Sequence, residues 1–380
     1  MKYSRKPHRV KNKFPVILDP ILLVTVFCLL LFGLVMVSSS SFEISQKIYT
    51  SSFHYFLSQG MHIILGLILG ALVFFIDLRI LCKFATTILF LSLLLLIVVL
   101  IPGIGRSVNG SFRWIRLGFF NVQVSEIAKL GIIIYLSFYF VQYQDLMRSY
   151  WVGFIRPVSL VGLVCLLLFC EPDFGASFVI VAVSLSLLYL AGISVWWFTL
   201  LLIICLLAFG ILMLSSPYRL SRLISFLDPW SKAFDSGYQL TQSLIAFGRG
   251  SWFGVGIGES IQKLFYLPEA HTDFIFAIII EEFGLIGGFL VILAYTILFL
   301  RGMRIGHFAH KLDKHFNGFL AQGITLLIGF QVVVNIGVNT GLLPTKGLTL
   351  PLISYGGSSI IINCIAMALL MKVHVENYNY

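Results

Sequence analysis

The sequence predicts an all-α membrane protein, a polytopic bundle of about ten transmembrane helices with one long extracytoplasmic loop and cytoplasmic N- and C-termini. Three observations carry that expectation. Hydrophobic residues fill 59% of the 380 positions and charged residues only 11%, where a soluble domain carries about a quarter charged. The apolar residues gather into runs of roughly 17 to 25, the length a helix needs to cross about 30 Å of hydrocarbon. Lys and Arg collect between the runs, more heavily in alternate connections, which sets orientation.

Taken in order, spans are expected near residues 18–40, 58–77, 82–102, 123–142, 156–171, 174–192, 196–215, 274–300, 317–338 and 354–373. Residues 1–17 form a basic tail carrying Lys2, Arg5, Lys6, Arg9, Lys11 and Lys13. The apolar stretch behind it is too long for a cleaved signal peptide. With the tail inside, Arg79, Lys83, Arg148, Arg156, Arg301, Arg304, Lys311, Lys314 and Lys372 also fall inside, against Lys47, Arg106, Arg113, Arg116 and Lys346 outside. Both termini are therefore expected in the cytoplasm, with residues 18–373 as one membrane domain and 374–380 as a short tail. The formal charge of +10 follows from this topology, and no basic stripe with interleaved aromatics speaks for nucleic acid. Cys28, Cys82, Cys165, Cys170, Cys205 and Cys364 lie in or beside apolar runs without metal-ligand spacing, as small packing residues do.

The connection at about 216–273 is the long loop, and the orientation puts it outside. A loop of this length in a compact protein is usually functional or disordered. Its short apolar pieces at 223–227 and 261–267 argue that it folds against the membrane interface. No internal repeat is visible, so an inverted-repeat transporter has no support.

Charges within spans cost about 2.5–3.5 kcal/mol each on insertion scales, so each asks for a reason. Glu126 and Lys129, three apart on one helix face, fit either an ion pair joining helices or the polar floor of a substrate site. Glu171 and Asp173 flank Pro172 and read as a tight turn between two short spans. Asp273 lies at or near the first turn of the eighth span, where a carboxylate can cap the helix. Glu281 lies deeper and about 80° around the helix from Asp273, and Glu282 lies nearly opposite Asp273, so one of the two can face the same cavity as Asp273. The stretch 339–359, with two prolines, several glycines and many hydroxyls, cannot be an ordinary lipid-facing helix. Irregular backbone at this depth needs protein or a water-filled cavity around it. With the polar loop at 105–118 and the long loop, it places the unusual groups on one face of the membrane.

Several segments resemble the SEDS family of bacterial membrane proteins (shape, elongation, division and sporulation). They are Gly33-Leu-Val-Met-Val-Ser-Ser-Ser-Ser41, Arg113-Trp-Ile-Arg-Leu-Gly118, Gln123-Val-Ser-Glu-Ile-Ala-Lys129 and Glu171-Pro-Asp-Phe-Gly175, then 218–230, 236–243, 268–277 and 343–359. They cover nearly the whole chain in order. Thr345-Lys-Gly-Leu-Thr-Leu-Pro351 and Pro268-Glu-Ala-His-Thr-Asp273 resemble the cell-division branch more than the elongation branch. Val124 replaces a usual proline and Ile280 a frequent glycine, departures that touch helix start and packing only.

The resemblance implies a peptidoglycan glycosyltransferase that links lipid II into glycan strands for septal cell-wall synthesis, with inversion at the donor sugar. It implies Asp273 as the catalytic residue, a general base for the acceptor hydroxyl, with ligation of a metal ion as its second reading. Around it the substrate-binding candidates are Trp114, Arg113, Glu126, Lys129, Arg222, His271, Glu281, Lys346 and Ser358. Trp114 fits an interfacial anchor equally well. Arg113, Arg116, Arg219, Arg222, Lys129 and Lys346 are the cations available to a diphosphate leaving group. Mg2+ or another divalent cation could share that task, and no organic cofactor is expected. The implied partners are a class B penicillin-binding protein transpeptidase and other division proteins, in the cytoplasmic (inner) membrane at the septum. The alternatives are a lipid II flippase, with Glu126, Lys129, Glu281 and Glu282 lining a path, and a non-enzymatic division scaffold.

Overall fold

The computed structural model describes residues 18–49, 51–108, 111–117, 120–149, 152–215 and 217–378. The basic tail at 1–17 and the side chain of Arg219 lie outside the described residues. All ten expected spans are present as helices: α1 (Pro20–Tyr49), α2 (His54–Phe74), α4 (Ala85–Val98), α5 (Val124–Gln142), α7 (Val152–Cys170), α8 (Phe174–Leu190), α9 (Val195–Leu214), α12 (Ile275–Lys311), α13 (His315–Asn339) and α14 (Gly357–Tyr378). Eight are long and apolar enough to cross a membrane, while α4 and α8 are shorter apolar helices. The protein is a polytopic helical membrane protein.

The differences from expectation have local causes. The serine run at 38–41 does not end α1, because Ser41 Oγ bonds back to the Val37 carbonyl (2.6 Å) and the helix continues to Tyr49. Such back-bonding satisfies a hydroxyl inside a helix. The third span begins late. Asp77 caps a short helix α3 (Leu78–Lys83) through the Arg79 amide, and the chain turns at Phe84 before α4. The polar stretch after α4 is a small antiparallel sheet, β1 (Gly105–Val108), β2 (Ser111–Leu117) and β3 (Phe120–Gln123), in the order β1-β2-β3. An all-α reading passed over the period-two alternation around Trp114. The long loop is largely ordered as α10 (Pro217–Leu227), α11 (Tyr238–Gly250) and a helical turn at Gln262–Tyr266. A further short helix, α6 (Gln144–Ser149), precedes α7.

Helices α5 and α13 form the buried centre. α13 packs on α5, α8 and α12, and α2 lies against α14. Close approach uses small residues, as helix pairs in lipid require. Gly66 and Gly70 of α2 face Cys364 and Ala368, and Gly302 of α12 faces Thr325. α9 is the least embedded, with only Leu201 buried. At one end of the bundle Arg301 pairs with Asp19 (2.6 Å) beside His374. The sheet, α10, α11 and the 339–356 stretch occupy the other.

α12 is not one continuous rod. Gly284 takes φ +71°, ψ −173°, and breaks the helix. The amides of Val255 and Gly256 donate to the carbonyls of Glu281 and Glu282 (2.9 and 3.1 Å), while those of Leu285 and Ile286 donate to Ser251 and Trp252 (2.9 and 3.3 Å). The segment 251–256 thus enters the helix ladder and satisfies groups that lipid could not. A Cβ on Gly284 would collide with the Trp252 carbonyl. Gly284→Ala is therefore expected to destabilise by about 1–3 kcal/mol, seen as a lower thermal midpoint in detergent. Gly162→Ala, with nothing within 4 Å of the added Cβ, should leave the midpoint unchanged or raised.

Candidate functional site

The linker into α12 brings Asp273 to the sheet end of the bundle, and α13 fixes its backbone. Asn335 Nδ2 and Asn339 Nδ2 both donate to the Asp273 carbonyl (2.8 and 3.0 Å). Asn339 Oδ1 accepts from the Ala277 amide (3.1 Å), the first-turn duty that a capping aspartate would perform. Phe274 is the residue at the cap position and makes no side-chain bond there. Capping is consequently not the role of Asp273. Among the described residues, its partly buried carboxylate accepts no hydrogen bond.

Electrostatics leave this carboxylate poised. Burial and the charge of Glu269 push its pKa up, Arg113 and Arg222 pull it down, and Asp173 adds a smaller push, for a value of about 7. Arg113 is held by the turn between α7 and α8, where Nε donates to the Glu171 carbonyl (3.2 Å) and Nη2 to that of Pro172. Arg222 of α10 donates to the Thr345 carbonyl (3.2 Å). Lys346 Nζ lies 4.3 Å from the Phe174 ring centre and 5.0 Å from that of Phe178. The neighbouring Gly347 approaches so closely that a Cβ there would stand 2.7 Å from Asp273 Oδ2. Arg113 of the sheet and Arg222 of α10 are thus brought into the neighbourhood of Asp273, while the 339–356 stretch sets Gly347 against it and holds the Lys346 ammonium over the Phe174 and Phe178 rings.

His271 is buried beside Tyr55 (ring centres 4.8 Å apart), with its pKa lowered by burial against the opposing charge of Glu269. Its backbone carbonyl accepts from the Tyr355 amide (2.9 Å), so it ties the Asp273 linker to the 339–356 stretch. Asp173 caps α8 through the Ala176 amide (3.2 Å), as expected for a tight turn. Glu171 beside it is wholly buried, with no hydrogen-bond partner for either oxygen among the described residues. Burial first, then Asp173, raises its pKa to about 8 against the pull of Arg113.

Other candidates lie elsewhere. Glu281 does not share a cavity with Asp273, and neither does Glu282. Glu281 takes Arg249 (2.7 Å), the Ser260 hydroxyl and the amides of Ile261 and Gln262 (3.1 and 3.3 Å). Glu282 takes Lys263 (2.8 Å) and Ser39 (2.7 Å). The segment 249–263 reaches both because it enters α12 at Gly284, which periodicity along α12 alone could not show. Glu126 and Lys129 pair with each other at 2.8 Å, both buried in α5. Ser358 stitches β3 to α14, donating to the Asn121 carbonyl and accepting from the Gln123 amide (both 2.8 Å). Trp114 sits in β2 opposite Gln123 and Arg106, partly buried. Asn335 and Asn339 were missed, although two amides four apart in an apolar run signal a buried polar task.

Two cavities lie apart from this arrangement. One of about 590 Å3 opens between α1 and residues 257–264, lined by Ser38, Ser39, Glu43, Ser260 and Lys263 among others, and does not include Asp273. A second, of about 240 Å3, is almost wholly apolar and separates α9 from α5, α7 and α8.

Residues 20–379 match the cell cycle protein family of FtsW, RodA and SpoVE. The chain belongs to this family. Among FtsW/RodA/SpoVE relatives, a protein of Legionella pneumophila named probable peptidoglycan glycosyltransferase FtsW is 50% identical over 94% of this chain and 91% of its own length. A protein of the same name from Coxiella burnetii is 47% identical over 95% and 97%. The fold is similar to a chain from a peptidoglycan synthase complex described as coordinating polymerization and crosslinking, at 28% identity, TM-score 0.76, and 96% and 99% coverage. The rod shape determining protein RodA of Thermus thermophilus superposes at TM-score 0.71 and 27% identity over 96% and 98%. The cell-division branch read from the motifs agrees with the relatives' names.

Asn339→Ala would leave the Ala277 amide with the Phe274 carbonyl alone and remove one donor from the Asp273 carbonyl. It is expected to destabilise by about 1–3 kcal/mol, with faster hydrogen exchange at the start of α12.

Proposed function

We propose that this chain is a peptidoglycan glycosyltransferase that polymerises lipid II, with Asp273 as the general base. The observation that carries it is a carboxylate that accepts no hydrogen bond among the described residues and has a pKa of about 7, under the influence of Arg113 and Arg222, in a family whose curated relatives bear that enzyme's name. A base works best with a pKa near the operating pH. Asp273 takes the proton of the acceptor sugar hydroxyl. The oxygen bonds to the donor's anomeric carbon as the bond from that carbon to the diphosphate breaks, so the configuration inverts. Arg113, Arg222 and Lys346 stabilise the charge gathering on the departing lipid diphosphate. Glu126 and Lys129, each satisfied by the other, serve the bundle rather than the sugar.

Among the described residues no three His, Cys, Asp or Glu side chains group to hold a metal ion. A divalent cation would take its remaining ligands from substrate phosphates, and no step is assigned to one. The excess of basic residues on alternate connections supports cytoplasmic termini, which puts Asp273 on the outer side of the cytoplasmic membrane. The likeness to a chain of a synthase complex supports work beside a crosslinking partner, a class B penicillin-binding protein, at the septum. The flippase reading loses ground because the three carboxylates it would use, Glu126, Glu281 and Glu282, are all in ion pairs.

The test is strand formation from labelled lipid II by the purified protein with its transpeptidase partner. Asp273→Asn is expected to abolish strands, and retained polymerisation would refute the assignment. The kcat of the native protein should rise with pH through an apparent pKa of about 7, falling about tenfold per unit below it, because the carboxylate must be deprotonated to act. Glu269→Gln removes a like charge and should move this limb to lower pH. Gly347→Ala drives a methyl into Oδ2 and should cost about 100-fold in kcat with little change in thermal midpoint.

A further inference from the structure

The break at Gly284 isolates the piece of α12 from Ile275 to Phe283, a half-helix about 13 Å long with Asp273 just before its start. Its first turn is held by Asn335 and Asn339. Its far end has no continuous helix to lean on, because the ladder is handed to residues 251–256. What holds that end is a pair of buried carboxylates reached from the same segment. Glu281 is gripped by Arg249, Ser260 and two amides, and Glu282 by Lys263 and the Ser39 hydroxyl of α1. Lys263 Nζ also donates to Ser39 Oγ at 3.0 Å, so one ammonium bridges the half-helix and α1. Both carboxylates and Lys263 are buried, and a carboxylate so placed depends on its partners.

We propose that Arg249 and Lys263 are positioning residues: acting through Glu281 and Glu282, they fix the half-helix Ile275–Phe283 and thereby the place of Asp273. This rests on the reading of Asp273 as the base. The role assigned to both residues is holding the half-helix, not binding substrate. A displacement of about 1 Å in a reacting group can cost about 100-fold in rate, and a half-helix released at one end can shift that far.

The test uses the full-length protein with its transpeptidase partner and labelled lipid II, followed by kinetics and by hydrogen exchange on residues 275–283. Lys263→Met is expected to lower kcat about 100-fold with KM little changed, and to speed exchange at 275–283 while 315–339 stays protected. The double variant Lys263→Met/Glu282→Gln leaves no stranded charge, so it should recover the thermal midpoint yet remain slow. A merely structural pair would recover both. Should Lys263→Met not be obtained folded, Arg249→Gln and Gly254→Ala carry the same test, the latter because its Cβ would strike the Glu282 carbonyl. Unchanged kcat, a change in KM alone, a rate loss without faster exchange at 275–283, or a double variant restored to full rate would each overturn the proposal. Asp273→Asn in parallel separates the two ideas. If it stays active the base assignment fails, while exchange at 275–283 still decides whether the clamp exists.

Discussion

A hydrocarbon environment supplies no hydrogen bonds, so every backbone amide and carbonyl at membrane depth must find its partner within the protein. Most of this chain meets that demand by staying helical. At Gly284 it meets it another way, by letting a separate segment complete the ladder. The irregular 339–356 stretch obeys the same rule with side chains. Asn335 Nδ2 donates to the Leu348 carbonyl (2.6 Å), Gln59 Nε2 to that of Ser354 (3.1 Å), and Ser354 Oγ accepts from the Leu350 amide (2.8 Å). The unwound backbone around Asp273 exists because polar side chains on α2 and α13 stand ready for it.

The contrast between the carboxylates then has a physical meaning. Glu281 accepts four hydrogen bonds, one from a guanidinium, and Glu282 an ammonium and a hydroxyl. Groups so satisfied are held in one place. Asp273 has cations in its neighbourhood but no donor on its oxygens among the described residues, and its proton affinity is high. A carboxylate in that condition is what the proposed general base requires. The fold keeps the two kinds at opposite ends of one short helix, Asp273 just before its start and the glutamates near its far end.

Much of this was legible in the sequence, because the signals are long-range averages. Ten apolar runs became ten helices, and the pairing of Glu126 with Lys129 is one of the two readings their three-residue spacing allowed, made within α5 rather than between helices. The nearness of Arg113 and Arg222 to Asp273 could be expected from loops that share one face. What the sequence concealed depends on where the backbone departs from its period. Once Gly284 takes a positive φ, helical angles counted from Asp273 cease to say which side chains face the 249–263 segment. Ser358 looked like a site hydroxyl, yet it sits between a strand carbonyl and a strand amide that only the sheet creates. The sheet itself was hidden because its strands are short and lie within a stretch that reads as polar loop.

The pairing of α2 with α14 also bears on how the protein is made. The buried residues of α2, Gln59, Gly66 and Gly70, face Ser354, Cys364 and Ala368, which leave the ribosome nearly three hundred residues later. During synthesis the second helix has only α1 to lie against until the last one arrives. A chain interrupted after α13 carries Asp273 but lacks Ser354 and Tyr355, which bond to the carbonyls of Thr272 and His271 just before it.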